Sequence, residues 1–362
     1  MSLPASLFKI PEDAYYGVQT LRGKENFFIS NVPVSREPNF VKAFGYVKKA
    51  AAMANRDLGV LDAKVAHAIM GACDRLIAGE MLDQFITDFI QGGAGTSVNM
   101  NANEVIANLA LESLGHKKGE YQYVNPNDHV NFGQSTNDVY PTAFHLGLIL
   151  RLESYMEALR RLRDAFCAKG KEFENVLKMG RTHLQDAVPM SLGQEFNGWG
   201  TTIGEEVQRI AEVRQLLQHI NLGATAIGTT VTAAPGYPEL AVKYLSELTG
   251  IKFTLAEDLI EATSDTGDYV LLSGVLKHTS AKLTKICNDI RLLASGPRCG
   301  FAEINLPQMQ PGSSIMPGKV NPVIPEVVNQ TGFLVIGFDL TVTLAASAGQ
   351  LQLNVMEPVI TF

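Results

Sequence analysis

The chain has 362 residues, 46% hydrophobic and 19% charged, with a net charge of −7. That length supports a large core without disulfides or metals, as about two to three domains or one bundle of long helices. The acidic balance argues against a nucleic-acid partner, which calls for a basic face, and against an anionic membrane surface. The cysteines Cys73, Cys167, Cys287 and Cys299 lie far apart, with no CxxC pair and no histidine at metal-ligand spacing. This predicts reduced thiols in a cytoplasmic protein.

Met1 to Leu7 lacks the basic-then-apolar pattern of a secretory signal, and Met1-Ser2-Leu3 reads as a cloning remnant. Residues 1–35 read as irregular, punctuated by Pro4, Pro11, Gly17 and Pro33. Helices are expected at about 40–58, 63–78 and 97–114, followed by a polar, turn-rich stretch at 115–135. A boundary near residue 130 divides a mostly helical N-terminal domain, 1–130, from a long-helix bundle domain, 131–362.

Apolar residues in the second part recur at alternating spacings of three and four. One run is Leu148, Leu152, Tyr155, Leu159, Leu162 and Phe166. A second is Ile203, Val207, Ile210, Val213, Leu217 and Ile220, and a third is Leu276, Thr279, Leu283, Ile286, Ile290 and Leu293. Such seams belong to helices that pack on other helices. A fourth helix is expected from about Pro322 to Leu353, with proline in its first turn, where a missing N–H costs little. These helices are roughly 20–35 residues long against a usual ~11–12, and strand alternation is scarce, so the fold class is all-α with a bundle. The most apolar stretch, Thr331 to Gly349, carries Asp339 at its middle and reads as a buried helix, not a membrane span. The final Pro358-Val359-Ile360-Thr361-Phe362 is apolar and lacks a capping signal, as a cut or partial chain would.

Three polar, glycine-containing segments precede helices. They are Gly92 to Asn101, Gln134-Ser135-Thr136-Asn137-Asp138, and Pro311 to Pro322. Unpaired N–H groups and the helix dipole favour an anion at such ends. Hydroxyls and amides of Thr96, Ser135, Thr136 and Asn137 add neutral donors suited to carboxylates. Thr96, Ser135 and Thr136 are each also ordinary capping residues, but three such segments in one chain favour a shared anion site. Five residues lie between Gly312 and Gly318, and Val320 follows Lys319, so the third segment is not a P-loop. A fourth polar segment, Gly180 to Pro189, lies between long helices and carries His183. That histidine suits a general acid/base, a carboxylate donor or a solvent-facing turn. No HExxH or His/Cys cluster is present, so neither a metal nor a cofactor is expected.

The string Gly312-Ser313-Ser314-Ile315-Met316-Pro317-Gly318-Lys319-Val320-Asn321-Pro322 resembles the signature of the fumarase/aspartase superfamily. Gly93-Ala94-Gly95-Thr96-Ser97, Gln134 to Asp138 and Gly180-Arg181-Thr182-His183 resemble its other characteristic regions, in the family's order. The resemblance begins at Pro11-Glu12-Asp13-Ala14-Tyr15-Tyr16-Gly17 and covers essentially the whole chain. It implies a helical subunit with a central domain of five long helices. It also implies a homotetramer whose active sites borrow residues from three chains, and a small C-terminal domain that this chain stops short of. Leu184-Gln185-Asp186-Ala187-Val188-Pro189-Met190, Thr136 and Val323 to Gln330 resemble the aspartase branch, and Asn125 departs from the fumarase pattern. Phe132-Gly133 depart from the usual aspartase residues. The alternatives within the resemblance are a fumarate hydratase or a non-catalytic oligomer.

The aspartase resemblance implies elimination of ammonia from L-aspartate, giving fumarate through an aci-carboxylate. Ser313 matches the base, supported by loop N–H groups and Lys319, and Ser314 a donor to the aci-carboxylate. Thr96, Ser135 and Thr136 would hold the β-carboxylate, and Lys319, Asn321, Thr182 and His183 the α-carboxylate. Asn137 would contact the amino group, and Glu326 would orient His183 from behind.

Overall fold

The computed structural model describes residues 9–316 and 318–362. The reading of Met1 to Leu7 and Pro317 of the eleven-residue string lie outside these. The chain divides into two compact units. One comprises the chain through Leu152, Arg214–Asp268 and Thr343–Phe362; the other comprises Glu153–Val213 and Tyr269–Val342.

In the first unit, α1 (Val18–Asn26), α2 (Pro38–Asp57), α3 (Ala63–Ile77) and α4 (Thr96–Ser113) precede the start of the 37-residue α5 (Thr136–Glu172). Helix α3 starts where Asp62 Oδ1 accepts from the N–H groups of Lys64 (2.9 Å) and Val65 (3.0 Å), an N-cap that satisfies two orphan donors. Helix α2 packs on α3, α3 on α4, and α4 on α1. The core closes on aromatic rings: Phe40 meets Phe44 at 5.1 Å, Tyr140 edge-on at 5.4 Å and Phe144 at 6.0 Å.

Helix α1 corrects the irregular reading of residues 1–35. Its start is held by the buried Glu104 of α4, which accepts from the N–H of Gly17 (2.8 Å), Gln19 (2.9 Å) and Thr20 (3.1 Å) and from the Thr20 hydroxyl (2.6 Å). A carboxylate supplied from across the sequence caps this helix, so no local cap residue marks it.

The long helices α5, α6 (Leu192–Leu216), α9 (Gly267–Leu293) and α10 (Val323–Ser347) supply the second unit. Between α6 and α9 in sequence lie β3 (His219–Ile220), α7 (Tyr237–Thr249), β4 (Thr254–Leu255) and α8 (Glu261–Ser264); β3 and β4 pair in parallel. The last helix, α11, spans Glu357–Thr361. The second apolar run outlasts its helix: α6 stops at Leu216, and Ile220 lies in β3.

Helices α5 and α6 approach closely at glycine: a Cβ on Gly193 would lie 2.3 Å from the Gly170 carbonyl oxygen. Phe166, Phe196 and Trp199 fill the adjoining space, with centroids 4.7–6.2 Å apart. Helices α6 and α9 meet through the buried Glu206, which accepts from the Thr279 hydroxyl (2.9 Å) and Lys282 (2.8 Å). Helices α9 and α10 meet where Asp339 accepts from Ser273 (3.0 Å) and Lys277 (2.6 Å).

Helix α10 is not the buried helix expected from its sequence. Phe333, Leu334, Phe338, Leu340 and Leu344 are between 49% and 62% exposed in the single chain. By length and composition it is also the one helix among the described residues that could cross a membrane.

The polar segment expected merely to link two helices is a β-hairpin. Strands β1 (Leu177–Thr182) and β2 (Gln185–Ser191) pair antiparallel, with an irregularity between Met179 and Arg181.

Candidate active site

The first unit carries two of the glycine- and hydroxyl-rich helix starts. Ahead of α4, Gly93, Ala94 and Gly95 all have left-handed backbones, with φ of 89°, 55° and 90°. Gly95 has no substitute here, because a Cβ would lie 2.2 Å from the Tyr140 ring. The turn places Gly95 at the N-cap and Thr96 at the first helical position, where its hydroxyl donates to the Gly93 carbonyl at 2.7 Å.

At the start of α5, Ser135 and Asp138 form a reciprocal cap: Ser135 Oγ accepts from Asn137 N–H (3.2 Å), and Asp138 Oδ1 accepts from Ser135 N–H (3.0 Å). The capping reading of Ser135 is therefore real. It leaves the serine's own proton free to donate elsewhere, since Oγ is the acceptor in that bond. Asn137 donates through Nδ2 to the Ala226 carbonyl at 2.7 Å, which turns its Oδ1 the other way as an acceptor. Asp138 Oδ2 accepts from Gly223 N–H and Thr225 N–H, both at 3.0 Å, tying the same loop to the helix start. Burial pushes the Asp138 carboxyl up to about 7, against the pull of these N–H groups and of Lys48. Lys48 is itself buried and brought down to about 7 by desolvation.

The second unit carries the other segments. The β1–β2 turn consists of His183 and Leu184, with φ of 53° and 61°, between the paired residues Thr182 and Gln185. Two left-handed residues in a two-residue loop define a turn that usually selects Asn-Gly. A His-Leu pair there stores backbone strain, which concentrates at functional sites. Thr182 and His183 are exposed in the single chain. Below the tip, Lys178 and Arg181 of β1 both pair with Glu303, and the Arg181 guanidinium lies 4.4 Å from the Phe301 ring centre.

The Ser313 loop is pinched at its neck. Asn321 Nδ2 donates to the Gly312 carbonyl at 2.6 Å, and a Cβ on Gly312 would lie 1.3 Å from the Lys319 carbonyl oxygen. Ser313 Oγ accepts from Ile315 N–H at 3.4 Å, while Ser314 and Lys319 are exposed. Glu326 lies in the first turn of α10 and makes no side-chain bond to His183 within the chain. Thus Thr96, Ser135, Thr136 and Asn137 belong to one unit, and Thr182, His183, Ser313, Ser314, Lys319, Asn321 and Glu326 to the other.

Behind Thr136 lies a set of groups that the sequence reading missed: Lys48, Asn99, Asn103 and Asn131. Asn99 Nδ2 donates to Thr136 Oγ1 at 3.0 Å, and Lys48 Nζ to Asn131 Oδ1 at 2.8 Å. Their partners are 37 and 83 residues away, so no local pattern marks them. Among the described residues the sequence trace is the density of amides at Asn99, Asn101, Asn103 and Asn108 in a helix whose other buried residues are mostly apolar.

The hydroxyl- and amide-bearing helix starts thus lie in the first unit, and the His183 turn and the serine–lysine loop in the second; among the described residues no group of three or more His, Cys, Asp or Glu is placed to hold a metal ion. A lyase family model matches residues 7–337, and the chain belongs to that family, the fumarase/aspartase superfamily. The aspartate ammonia-lyase of Pseudomonas aeruginosa is 61% identical over 98% of this chain and 75% of its own length. That of Escherichia coli K12 is 60% identical over 97% of this chain and 74% of its own. Among solved structures, a fumarate lyase:delta crystallin from Brucella melitensis, bound to cobalt, superposes with a TM-score of 0.95 at 56% identity, covering 97% of this chain and 76% of that one. A class II fumarase from Schistosoma mansoni gives 0.92 at 36% identity, covering 98% and 77%.

Proposed function

We propose that the chain is an aspartate ammonia-lyase, a carbon–nitrogen lyase that converts L-aspartate reversibly to fumarate and ammonia. The observation that carries this reading is the 60–61% identity to aspartate ammonia-lyases over nearly the whole chain. The donor set agrees with it: a dicarboxylate needs two anion sites, and the helix starts offer neutral donors at positive dipole ends.

In this reading the Ser313 alkoxide takes the proton from the carbon next to the β-carboxylate. The electron pair moves into that carboxylate and gives the aci-carboxylate dianion. Its collapse forms the carbon–carbon double bond, and the C–N electron pair leaves with nitrogen as ammonia. A free serine is far too weak a base for this step, so Lys319 and loop N–H groups stabilise its anion. Ser314 donates to the aci-carboxylate, and Thr96, Ser135 and Thr136 hold the β-carboxylate with bonds that strengthen as charge builds. Thr96 must exchange its Gly93 partner to do so. Thr182, His183, Lys319 and Asn321 hold the α-carboxylate, with Glu326 behind His183. Asn137 Oδ1 accepts from the substrate ammonium, an orientation supported by the Ala226 bond.

The same reading includes a homotetramer with active sites shared between subunits. The exposed apolar residues of α10 support it, since a soluble enzyme must cover such a surface. The division into a domain at 1–130 and a bundle domain from 131, and a cytoplasmic location, are also part of the proposal; the four unpaired cysteines fit the latter.

The test is to offer purified protein L-aspartate, L-malate and substituted succinates, following fumarate absorbance and released ammonia. Fumarate and ammonia in equal amounts from aspartate alone are expected. Fumarate from malate, with none from aspartate, would establish a hydratase instead.

A further inference from the structure

The buried and half-buried groups behind the start of α5 form a directional chain of hydrogen bonds. It begins at Lys48, fully buried on α2, whose amino group carries N–H donors in either protonation state. Lys48 Nζ donates to Asn131 Oδ1 at 2.8 Å and to Gln134 Oε1 at 3.0 Å. The Asn131 amide is thereby fixed with oxygen toward the lysine and nitrogen toward the Gln134 carbonyl, to which it donates at 3.1 Å. An oxygen at that place demands donors from its other neighbours. Asn99 and Asn103 comply, presenting Nδ2 to it at 3.2 and 3.3 Å.

The orientation of Asn99 follows from this. Its Nδ2 faces Asn131, even though its Oδ1 is left buried without a partner. The same Nδ2 donates to Thr136 Oγ1 at 3.0 Å. A hydroxyl has one proton to give. Once Thr136 Oγ1 accepts from Asn99, that proton is not needed on the protein side and is available to an acceptor in the site.

We propose that Asn99 is a positioning residue that fixes the Thr136 hydroxyl as an outward donor to the substrate carboxylate, with Lys48 and Asn131 setting the polarity of Asn99. This rests on the reading of Thr136 as a carboxylate ligand. It adds what that reading lacks: a serine or threonine hydroxyl can donate or accept, and a carboxylate needs it to donate. A hydroxyl held the wrong way would present lone pairs to an anion. Preorganisation of this kind removes a rotational cost at binding and grows in worth as charge develops on the carboxylate.

The experiment is a double-mutant cycle on kcat/KM for L-aspartate, with fold and assembly followed by thermal melting and light scattering. Asn99→Asp replaces the donor by an acceptor at nearly equal volume, so the Thr136 proton turns inward. Asn99→Leu deletes the donor at similar size and carries the same test if the acidic variant does not assemble. Thr136→Val removes the hydroxyl. In the Thr136 background, Asn99→Asp should lower kcat/KM by about tenfold or more, largely through KM, and Asn99→Leu should act in the same direction. In the Thr136→Val background either change should cost less than about threefold, because nothing remains to orient. Equal losses in both backgrounds would mean that Asn99 acts only as structure and would overturn the proposal, as would an unchanged kcat/KM for a folded Asn99 variant. If Thr136→Val alone leaves KM and kcat unchanged, the fault lies earlier, in assigning Thr136 to the carboxylate.

Discussion

Arg181 and Glu303 form an ion pair that ties the His183 hairpin to the segment leading into the Ser313 loop. Arg181 sits one residue before Thr182, and Glu303 ten residues before Ser313. The link is reinforced by Lys178, 3.3 Å from Glu303 Oε2, and by the Phe301 ring under the guanidinium. Burial raises the Glu303 carboxyl, but Arg181 and Lys178 outweigh it and hold the group below its ordinary value. Glu303→Gln keeps the shape and removes the charge. It should lower kcat/KM for aspartate while shifting the melting temperature by only a few degrees. A variant with unchanged kinetics would show that the hairpin needs no such tether.

Ser313→Ala should slow fumarate formation by orders of magnitude in a protein of unaltered assembly, measured by absorbance and light scattering. Lys319→Ala should also raise KM for aspartate. Near-normal turnover of the serine variant would remove it from the role of base.

Gly95→Ala should be strongly destabilising. It combines a left-handed backbone, costing about 1–3 kcal/mol for a residue with Cβ, with a methyl placed 2.2 Å from Tyr140. Urea denaturation gives the loss. An alanine that left stability intact would mean that Tyr140 can move aside.

Stability should fall as pH rises because of Glu357. Burial alone pushes this carboxyl up to about 8, from an ordinary 4.5. The folded state therefore binds the proton more tightly than the unfolded state, so the contribution is complete below about pH 4.5 and is lost as pH rises towards 8. Glu357→Gln should match the parent near pH 5 and melt higher than it at pH 8. Parallel melting curves across that range would show that the carboxylate finds a partner when it ionises.

Leu340→Glu on α10 should lower the assembly state without unfolding the subunit. The residue is 60% exposed in the single chain, so the charge costs little there, but it would be desolvated in a helix–helix interface. Light scattering and far-UV circular dichroism check the two halves of this expectation. An unchanged oligomer would move the interface to another surface.

The long helices are legible in the sequence, because a seam of alternating three- and four-residue spacings has one regular solution that buries it. So are the glycine- and hydroxyl-rich segments, since residues such as Gly95 and Ser135 are chosen for local backbone and capping reasons. Features that depend on distant partners emerge only once the chain is folded. Helix α1 starts where Glu104 reaches it from more than eighty residues away. The hairpin turns on His183 and Leu184, which carry none of the usual turn chemistry, and its strands are exposed enough to blur the apolar alternation. The apolar pattern of α10 states that the helix must be covered, but not that its own chain leaves Phe333, Leu334 and Leu340 exposed. The direction of the Thr136 hydroxyl is the finest case: its residue type can donate or accept, and a buried lysine two residues along a chain of amides decides which.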